Sequence, residues 1–232
     1  MFDTCSVNGV FSGCGQIKTV TYKEQAYDLI KEAIIYQKLQ SDAIYSQDAI
    51  CQELGISRTP VREALLELQK EGYIIFCRGK GIQIVSLDDK AIHDILETRL
   101  YQEMSVAELA ARRATEQDLV YISECLEEQR QNLDLQDIDL SYRLDHRFHR
   151  AVAKAAHNER MYRAVDDILD HYLRFEGLNI YKNYSGANAI MAEHTRLYEA
   201  IREHDPEKAR KAAQDHLQGS YKRTLQRYWH DA

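Results

Sequence analysis

Asp145 and His149 stand one helical turn apart in "DHRFHRAVAKAAHN", the stretch from Asp145 to Asn158. On a helix this spacing puts a carboxylate and an imidazole on one face, which is ligand geometry for a divalent metal. Two ligands do not close a site, so the others must come from neighbouring helices. The remaining histidines are 93, 146, 157, 171, 194, 204, 216 and 230. His194 opens the apolar pattern "HTRLYEAI", and His216 lies inside "ARKAAQDHLQGS"; small or apolar neighbours point both inward. His157, His204 and His230 fall at helix ends, where a solvated terminal histidine is the plainer reading. For any single histidine in a helical domain, the bland alternative is an ordinary hydrogen-bonded side chain.

A second constellation lies in "LGISRTPVREALLELQKEG". A short helix, a glycine turn at Gly55 and a second helix capped by Ser57 have the form of a helix-turn-helix. Arg58 and Arg62 share one face at the N-terminal end of the second helix, the end that enters the major groove. A planar guanidinium can donate two hydrogen bonds to guanine or clamp a phosphate. The hydroxyls of Ser57 and Thr59 belong to the same helix end and would lie near phosphates. Val61, Ala64, Leu65 and Leu68 form the opposite, core-facing stripe. The competing expectation is that the two arginines merely pair with Glu63, Glu67 or other acids on a solvated surface.

These residues need elements to position them. Tyr22 to Leu39 carries apolar residues at helical spacing (Ala26, Leu29, Ile30, Ala33, Ile34), and Ser46 can cap a short helix from Gln47 to Leu54. Pro60 falls in the first turn of the next helix, where its missing N–H costs little, and Glu71-Gly72 ends that helix. "YIIFCRGKGIQIVSL" predicts a hairpin whose tight turn, Arg78 to Gly81, brings Lys80 to a basic tip. From Asp88 onward the pattern is helical: 88–113, 115–133, 138–157, 158–182, 187–203 and 205–230. The last begins with Asp205 as N-cap and Pro206 at the first position. The expected fold class is mainly α, an N-terminal winged helix-turn-helix followed by an all-α helical bundle. The expected division is a flexible leader at 1–20, a DNA-binding domain at 21–86, and a helical domain at 87–232, to which the family resemblance below adds effector binding and dimerisation.

Bulk composition agrees with a globular chain: 232 residues, 44% hydrophobic, 29% charged, with 2 prolines and 10 glycines. The net charge of −7 is unevenly distributed. Through Val85 there are 9 basic and 10 acidic residues, giving −1; the remaining 21 and 27 give −6. A DNA reader needs a local basic footprint rather than a basic whole, so the acidity of the second part does not exclude nucleic acid. Cys5, Cys14, Cys51, Cys77 and Cys125 form no C-x-x-C pair, so neither a disulfide framework nor a zinc knuckle is indicated. No apolar run is long enough to cross a membrane, and the N-terminus lacks a secretory pattern; cytoplasm is the expected location.

Residues 22–86, with the core "SRTPVREAL…L…EG", resemble the winged helix-turn-helix of the GntR family of bacterial transcription regulators. Two features depart from it. "QSDAIYS" replaces the family's usual Pro-Gly turn, and Asp48 occupies a position where the family often has a DNA-contacting arginine. The resemblance is therefore carried to Arg58 and Arg62, with Lys80 a weaker wing contact. The C-terminal part looks like the FCD domain of the FadR-type branch, with six helical runs as in its VanR-like subset. Metal-binding members of that family present an aspartate, a histidine four residues on in a "D-x-x-F-H" setting, and two later histidines. Asp145, Phe148 and His149 match the first part, and His194 and His216 the rest. That resemblance implies a divalent metal held by Asp145, His149, His194 and His216, and the donor set suits zinc, nickel, manganese or iron. It also implies a small carboxylate effector, with Arg99 in "ETRLYQE" matching an arginine that could hold it bidentately. Against that stands an intrahelical Arg99–Glu103 pair. The expected protein is a homodimeric, ligand-responsive regulator that binds operator DNA, with repression as its mode. The rival from another class is an all-helical HD-type metal phosphohydrolase, suggested by His93-Asp94 and His204-Asp205. A helical interaction module with a vestigial DNA-binding domain is a third reading, to which Asp48 lends some support.

Overall fold

The computed structural model describes residues 20–41, 43–133, 138–176 and 184–230, so the leader with Cys5 and Cys14 lies outside the described residues. The elements run α1 (Tyr22–Ile35), β1 (Ile44–Tyr45), α2 (Gln47–Leu54), α3 (Arg58–Lys70), β2 (Ile74–Cys77), β3 (Gly81–Ile84) and α4 (Asp89–Arg113). They continue with α5 (Glu116–Gln131), α6 (Ile138–Ala155), α7 (Glu159–Glu176), α8 (Tyr184–Arg202) and α9 (Pro206–His230). Internal contacts divide the chain into two units. One holds α1 up to Glu32 together with Asp42–Val85, and the other holds Ala33–Ser41 and everything from Ser86 onward.

In the first unit the local signals act as capping chemistry predicts, with one exception. Ser46 accepts a hydrogen bond from the Asp48 N–H to start α2, and Gly55 closes it at φ 66 in the left-handed region. Ser57 occupies the N-cap of α3 with extended backbone, but its hydroxyl makes no cap hydrogen bond. Part of the reason is in the sequence. An N-cap side chain bonds the N–H of the second or third helical residue; the third is Pro60, which has none, so only the Thr59 N–H is left as a partner. Ser57 is thus a cap by position whose hydroxyl the helix does not use. Val61, Ala64, Leu65 and Leu68 are fully buried as the stripe requires, and Ala26, Ile30, Tyr73, Ile74, Ile82 and Ile84 are buried in the same unit. Leu29, expected on the apolar face of α1, is instead exposed.

The hairpin forms with Ile74 opposite Ile84 and Cys77 opposite Gly81. A third strand, β1, adds to its far edge through Ile44–Gln83 and Tyr45–Ile82, giving the order β1-β3-β2. Gly81 sits at φ 123, where a Cβ would come within 2.1 Å of the Tyr45 carbonyl oxygen. Only glycine lets the two strands approach this closely. The helix expected to reach Leu39 ends at Ile35, followed by Gln37 at φ 54.

In the helical unit three starts, those of α4, α5 and α9, are capped by side chains. Asp88 accepts from the Ala91 N–H, Thr115 and Asp118 form a reciprocal capping box, and Asp205 Oδ1 accepts from the Lys208 N–H. The long α4 packs against α6, α7, α8 and α9, while α5 packs against α6 and α8. Alanines 107, 110, 111, 151, 155, 209 and 213 line the main core with Phe148, Ile122 and Ile201. Such small side chains let helix backbones draw close enough for polar groups on different helices to meet. No helix among the described residues is long and apolar enough to cross a membrane.

Candidate metal centre and nucleic-acid interface

Asp145 and His149 extend from α6, His194 from α8 and His216 from α9, and all four are buried. His194 Nε2 and His149 Nε2 each lie 3.3 Å from His216 Nε2, and ligand atoms of the three rings fall within 4.8 Å of one another. Asp145 stands beside them, with Oδ1 3.6 Å from His194 Nε2 and Oδ2 3.6 Å from His149 Nε2.

The far side of each ring explains why the Nε2 atoms converge. His216 Nδ1 bonds Glu193 Oε2 at 2.9 Å, and a carboxylate can only accept, so the proton belongs on Nδ1. His194 Nδ1 meets Gln129 Oε1 at 2.9 Å, with the amide's Nε2 turned toward Asp145 Oδ1 at 3.5 Å. His149 Nδ1 lies 2.5 Å from Glu103 Oε2, off the line of an ordinary hydrogen bond. Outer partners of this kind set tautomer and ring orientation in metal sites. The inward lone pairs then face one another at a distance where they repel unless a cation lies between them. Metal–nitrogen bonds of about 2.0–2.1 Å in tetrahedral array separate nitrogens by about 3.3 Å, so the donor set fits a divalent metal.

Charge is arranged accordingly. Burial alone would raise the Asp145 carboxyl, but the surrounding histidines and Arg99 hold it well below the usual carboxylate range. Glu103 is likewise pushed up by burial and pulled further down by Arg99 and His149. Burial also raises Glu193, yet hydrogen bonds from His216 and from Arg223, which grips both its oxygens at 2.9 and 2.8 Å, bring it down to about 2. Burial drives His146 and His194 well below the ordinary imidazole value and lowers His216 despite Glu193.

These directions carry a sign for stability. A histidine held neutral by folding binds fewer protons than it does unfolded, so its contribution is intact above an unfolded pKa of about 6.5 and shrinks below it. Metal-stripped protein is therefore expected to show a lower urea midpoint at pH 5.5 than at pH 7.5. Equal midpoints would contradict the buried neutral state. Asp145 and Glu103 act in a separate window, below about pH 4, where the unfolded carboxylates begin to protonate.

Arg99 is buried in α4, with Nε donating to Glu103 Oε1 at 2.5 Å and Nη2 lying 3.2 Å from His149 Nε2. The intrahelical pair thus exists, and it delivers the guanidinium to the edge of the histidine cluster. Its carbon also lies 4.0 Å from the Tyr172 ring centre, and Tyr172 shares its hydroxyl with Ser220 Oγ at 3.1 Å. His146 stacks on the same tyrosine at 6.1 Å; it is fully buried, and neither ring nitrogen has a hydrogen-bond partner among the described residues.

The other histidines are explained differently. His157 and His204 end helices at φ 48 and 53, bonding Asp118 at 2.8 Å and the Ala111 carbonyl at 2.9 Å. His93 is exposed, with Asp94 paired to Lys90, and Asp205 caps α9. Neither His-Asp pair joins the centre. Gln129, Glu193 and Arg223 were missed by the sequence reading, which named Glu103 only as an alternative partner for Arg99. Glu193 adjoins His194, a faint signal; Gln129 carried none.

In the first unit Arg58, Thr59 and Arg62 are exposed at the start of α3, as are Ser57 ahead of it and Lys80 in the hairpin turn. Arg62 makes no ion pair or hydrogen bond among the described residues. Arg58 Nη2 donates to Asp48 Oδ2 at 2.8 Å, rather than to Glu63 or to Glu67, whose carboxylate pairs with Lys23.

Residues 22–84 match the model for bacterial regulatory proteins of the gntR family, and residues 94–219 match the FCD domain. The chain belongs to the GntR family and carries a C-terminal FCD domain. It is thereby a member of a family of DNA-binding transcription regulators, not of enzymes. The Glc operon transcriptional activator of Escherichia coli K12 is 29% identical over 210 residues, covering 80% of each chain. A putative L-lactate dehydrogenase operon regulatory protein from the same strain is 28% identical, covering 84% of this chain and 83% of its own. The solved structure of E. coli McbR/YncC, 20% identical, superposes on 90% of this chain and all of its own with a TM-score of 0.81, a likeness of fold. The FCD domain thus begins within α4 and ends within α9, and it contains all four candidate ligands.

Proposed function

We propose that this chain is a cytoplasmic, homodimeric, ligand-responsive regulator whose FCD domain binds a divalent metal and, beside it, a small organic acid. The observation that carries this reading is the convergence of three imidazole Nε2 atoms, each backed by its own acceptor, next to Asp145 and the Arg99 guanidinium. Zinc, nickel, manganese and iron all suit one carboxylate with three imidazoles, and the bound ion would supply open positions for an anion. With the His149 lone pair engaged, the Arg99 Nη2 donor turns to a carboxylate, and Glu103 keeps the guanidinium in place. His146 supports a polar occupant, because a buried group without a hydrogen bond costs about 1–3 kcal/mol unless something satisfies it. One relative's name concerns an L-lactate dehydrogenase operon, which supports small organic acids as the effector class.

On DNA, two copies would set their α3 helices in the half-sites of a pseudo-palindrome, with Arg58 and Arg62 toward base edges, Ser57 and Thr59 near phosphates, and Lys80 at the wing. An effector preferring one arrangement of the DNA-binding domains shifts affinity by that preference, about 1–3 kcal/mol in typical allosteric proteins. Repression follows wherever such a dimer covers a promoter; one relative is named an activator, so a reporter assay reads the sign. The reading is tested by a thermal-shift screen of small organic acids with and without added metal. Acids should raise the melting temperature of the metal-loaded wild type and fail to do so with Arg99→Ala. Shifts that survive in Arg99→Ala, or that ignore metal, would remove the effector half of the proposal.

A further inference from the structure

Asp48 sits in the first turn of α2 with its backbone fixed by the Ser46 cap, and it reaches across the turn to Arg58 at the first turn of α3. The same two turns are joined again by Gln47, whose Nε2 donates to the Arg58 carbonyl at 3.3 Å. A carboxylate on the DNA-facing side of a regulator is costly against phosphates, and an exposed ion pair contributes little stability by itself. Stability therefore does not account for it. The pair does something else: it fixes one Nη2 hydrogen of Arg58 and leaves the other N–H donors of the fork aimed away from Asp48.

We propose that Asp48 is a positioning residue for sequence reading, holding Arg58 in the orientation that donates to a purine edge and withholding it from the phosphates. This rests on the reading of Arg58 as a base contact. An arginine free on a flexible stem takes the nearest phosphate, which adds affinity for every sequence alike; one paired with a carboxylate must give up that pair to reach a phosphate, and part of its rotamer freedom is spent before it meets DNA. Inside the groove, where water is thinned, the Asp48–Arg58 attraction strengthens. Arg62, with no such partner among the described residues, has no comparable restraint. The two arginines therefore differ in role, one buttressed and one free.

The test uses full-length protein and duplexes that the wild type enriches from a randomised library, with scrambled duplexes as controls. Asp48→Asn keeps the shape and removes the charge, and Asp48→Ala removes both; Asp48 is exposed, and circular dichroism checks the fold. A bidentate arginine–guanine pair discriminates by roughly 5- to 150-fold, and an exposed ion pair is worth at most about 5-fold, so both variants should lose up to about 5-fold of that preference at one base position. It should be the same position whose preference Arg58→Ala abolishes. Affinity for scrambled duplexes should rise, with the salt slope steeper by about 0.9 as Arg58 engages a phosphate. Wild-type base preference in Asp48→Asn, or a uniform gain on all duplexes, would overturn the proposal and leave Asp48 as a charge brake. If Arg58→Ala itself changes neither affinity nor preference, the base-contact reading falls first and this one with it.

Discussion

His194→Ala should leave purified protein with little bound metal, while the wild type carries close to one ion per chain. The variant is the cleanest of the three histidine removals. Loss of His149 would uncover the buried Arg99–Glu103 pair, and loss of His216 would leave the Glu193–Arg223 pair without its third member. His194 leans on a neutral amide, Gln129, and on the face of Phe148 at 4.3 Å, and the Asp145 carboxylate beside it keeps His149 and the Gln129 amide as neighbours when His194 is removed. Losing an outer hydrogen-bond partner typically costs about 10- to 100-fold in metal affinity, and losing a ligand should cost more. Metal at 100 times its dissociation constant stabilises a protein by about 2.7 kcal/mol. For a chain of this size that is a rise of roughly 5–10 °C in melting temperature. The wild type should show that rise on metal addition and His194→Ala should not. Equal metal content by elemental analysis, or equal thermal shifts, would sink the assignment.

Arg62→Ala is expected to reduce affinity for library-selected duplexes by about 1–3 kcal/mol, roughly 5- to 150-fold, and to relax preference at one base position. The expectation follows from its place on α3, one turn beyond Arg58, exposed and without a competing partner among the described residues. A phosphate contact would behave differently, weakening every duplex alike and lowering the salt slope by about 1. Electrophoretic or fluorescence titrations at several salt concentrations separate the two patterns. Lys80→Ala should show the second pattern, since a lysine at a glycine-rich wing tip offers a point charge rather than a planar fork. Unchanged affinity and preference in Arg62→Ala would remove α3 as the reading element.

Much of the fold was legible because its signals are local. Ser46, Gly55, Asp88, Thr115 with Asp118, and Asp205 with Pro206 each act within four residues, and the helix starts follow them closely. The buried stripe of α3 followed from a 3.6-residue period alone. Some local signals still fell short, for identifiable reasons. Ser57 occupies the cap position of α3 without a cap hydrogen bond, and Pro60 removes one of the two N–H groups it could have met. The strand β1 is two residues long, too short to show a period, and exists because Gly81 lets it approach β3.

The sequence by itself determined the family, the helical register and the residues able to ligate, since Asp145 and His149 share a face by spacing and His194 and His216 fit the family pattern. Only the tertiary structure decided which nitrogens meet. The acceptors that turn the rings inward come from elsewhere in the chain: Glu103 on α4 for His149, Gln129 on α5 for His194 and Glu193 on α8 for His216. Helix periodicity tells which way a side chain leaves its own helix. It carries nothing about the rotation and offset of one helix against another, and those are set by how the alanine-lined core lets the backbones approach. The Asp48–Arg58 pair has the same origin: a carboxylate that looked misplaced in the linear sequence becomes a partner once the left-handed turn at Gly55 folds α2 back across α3.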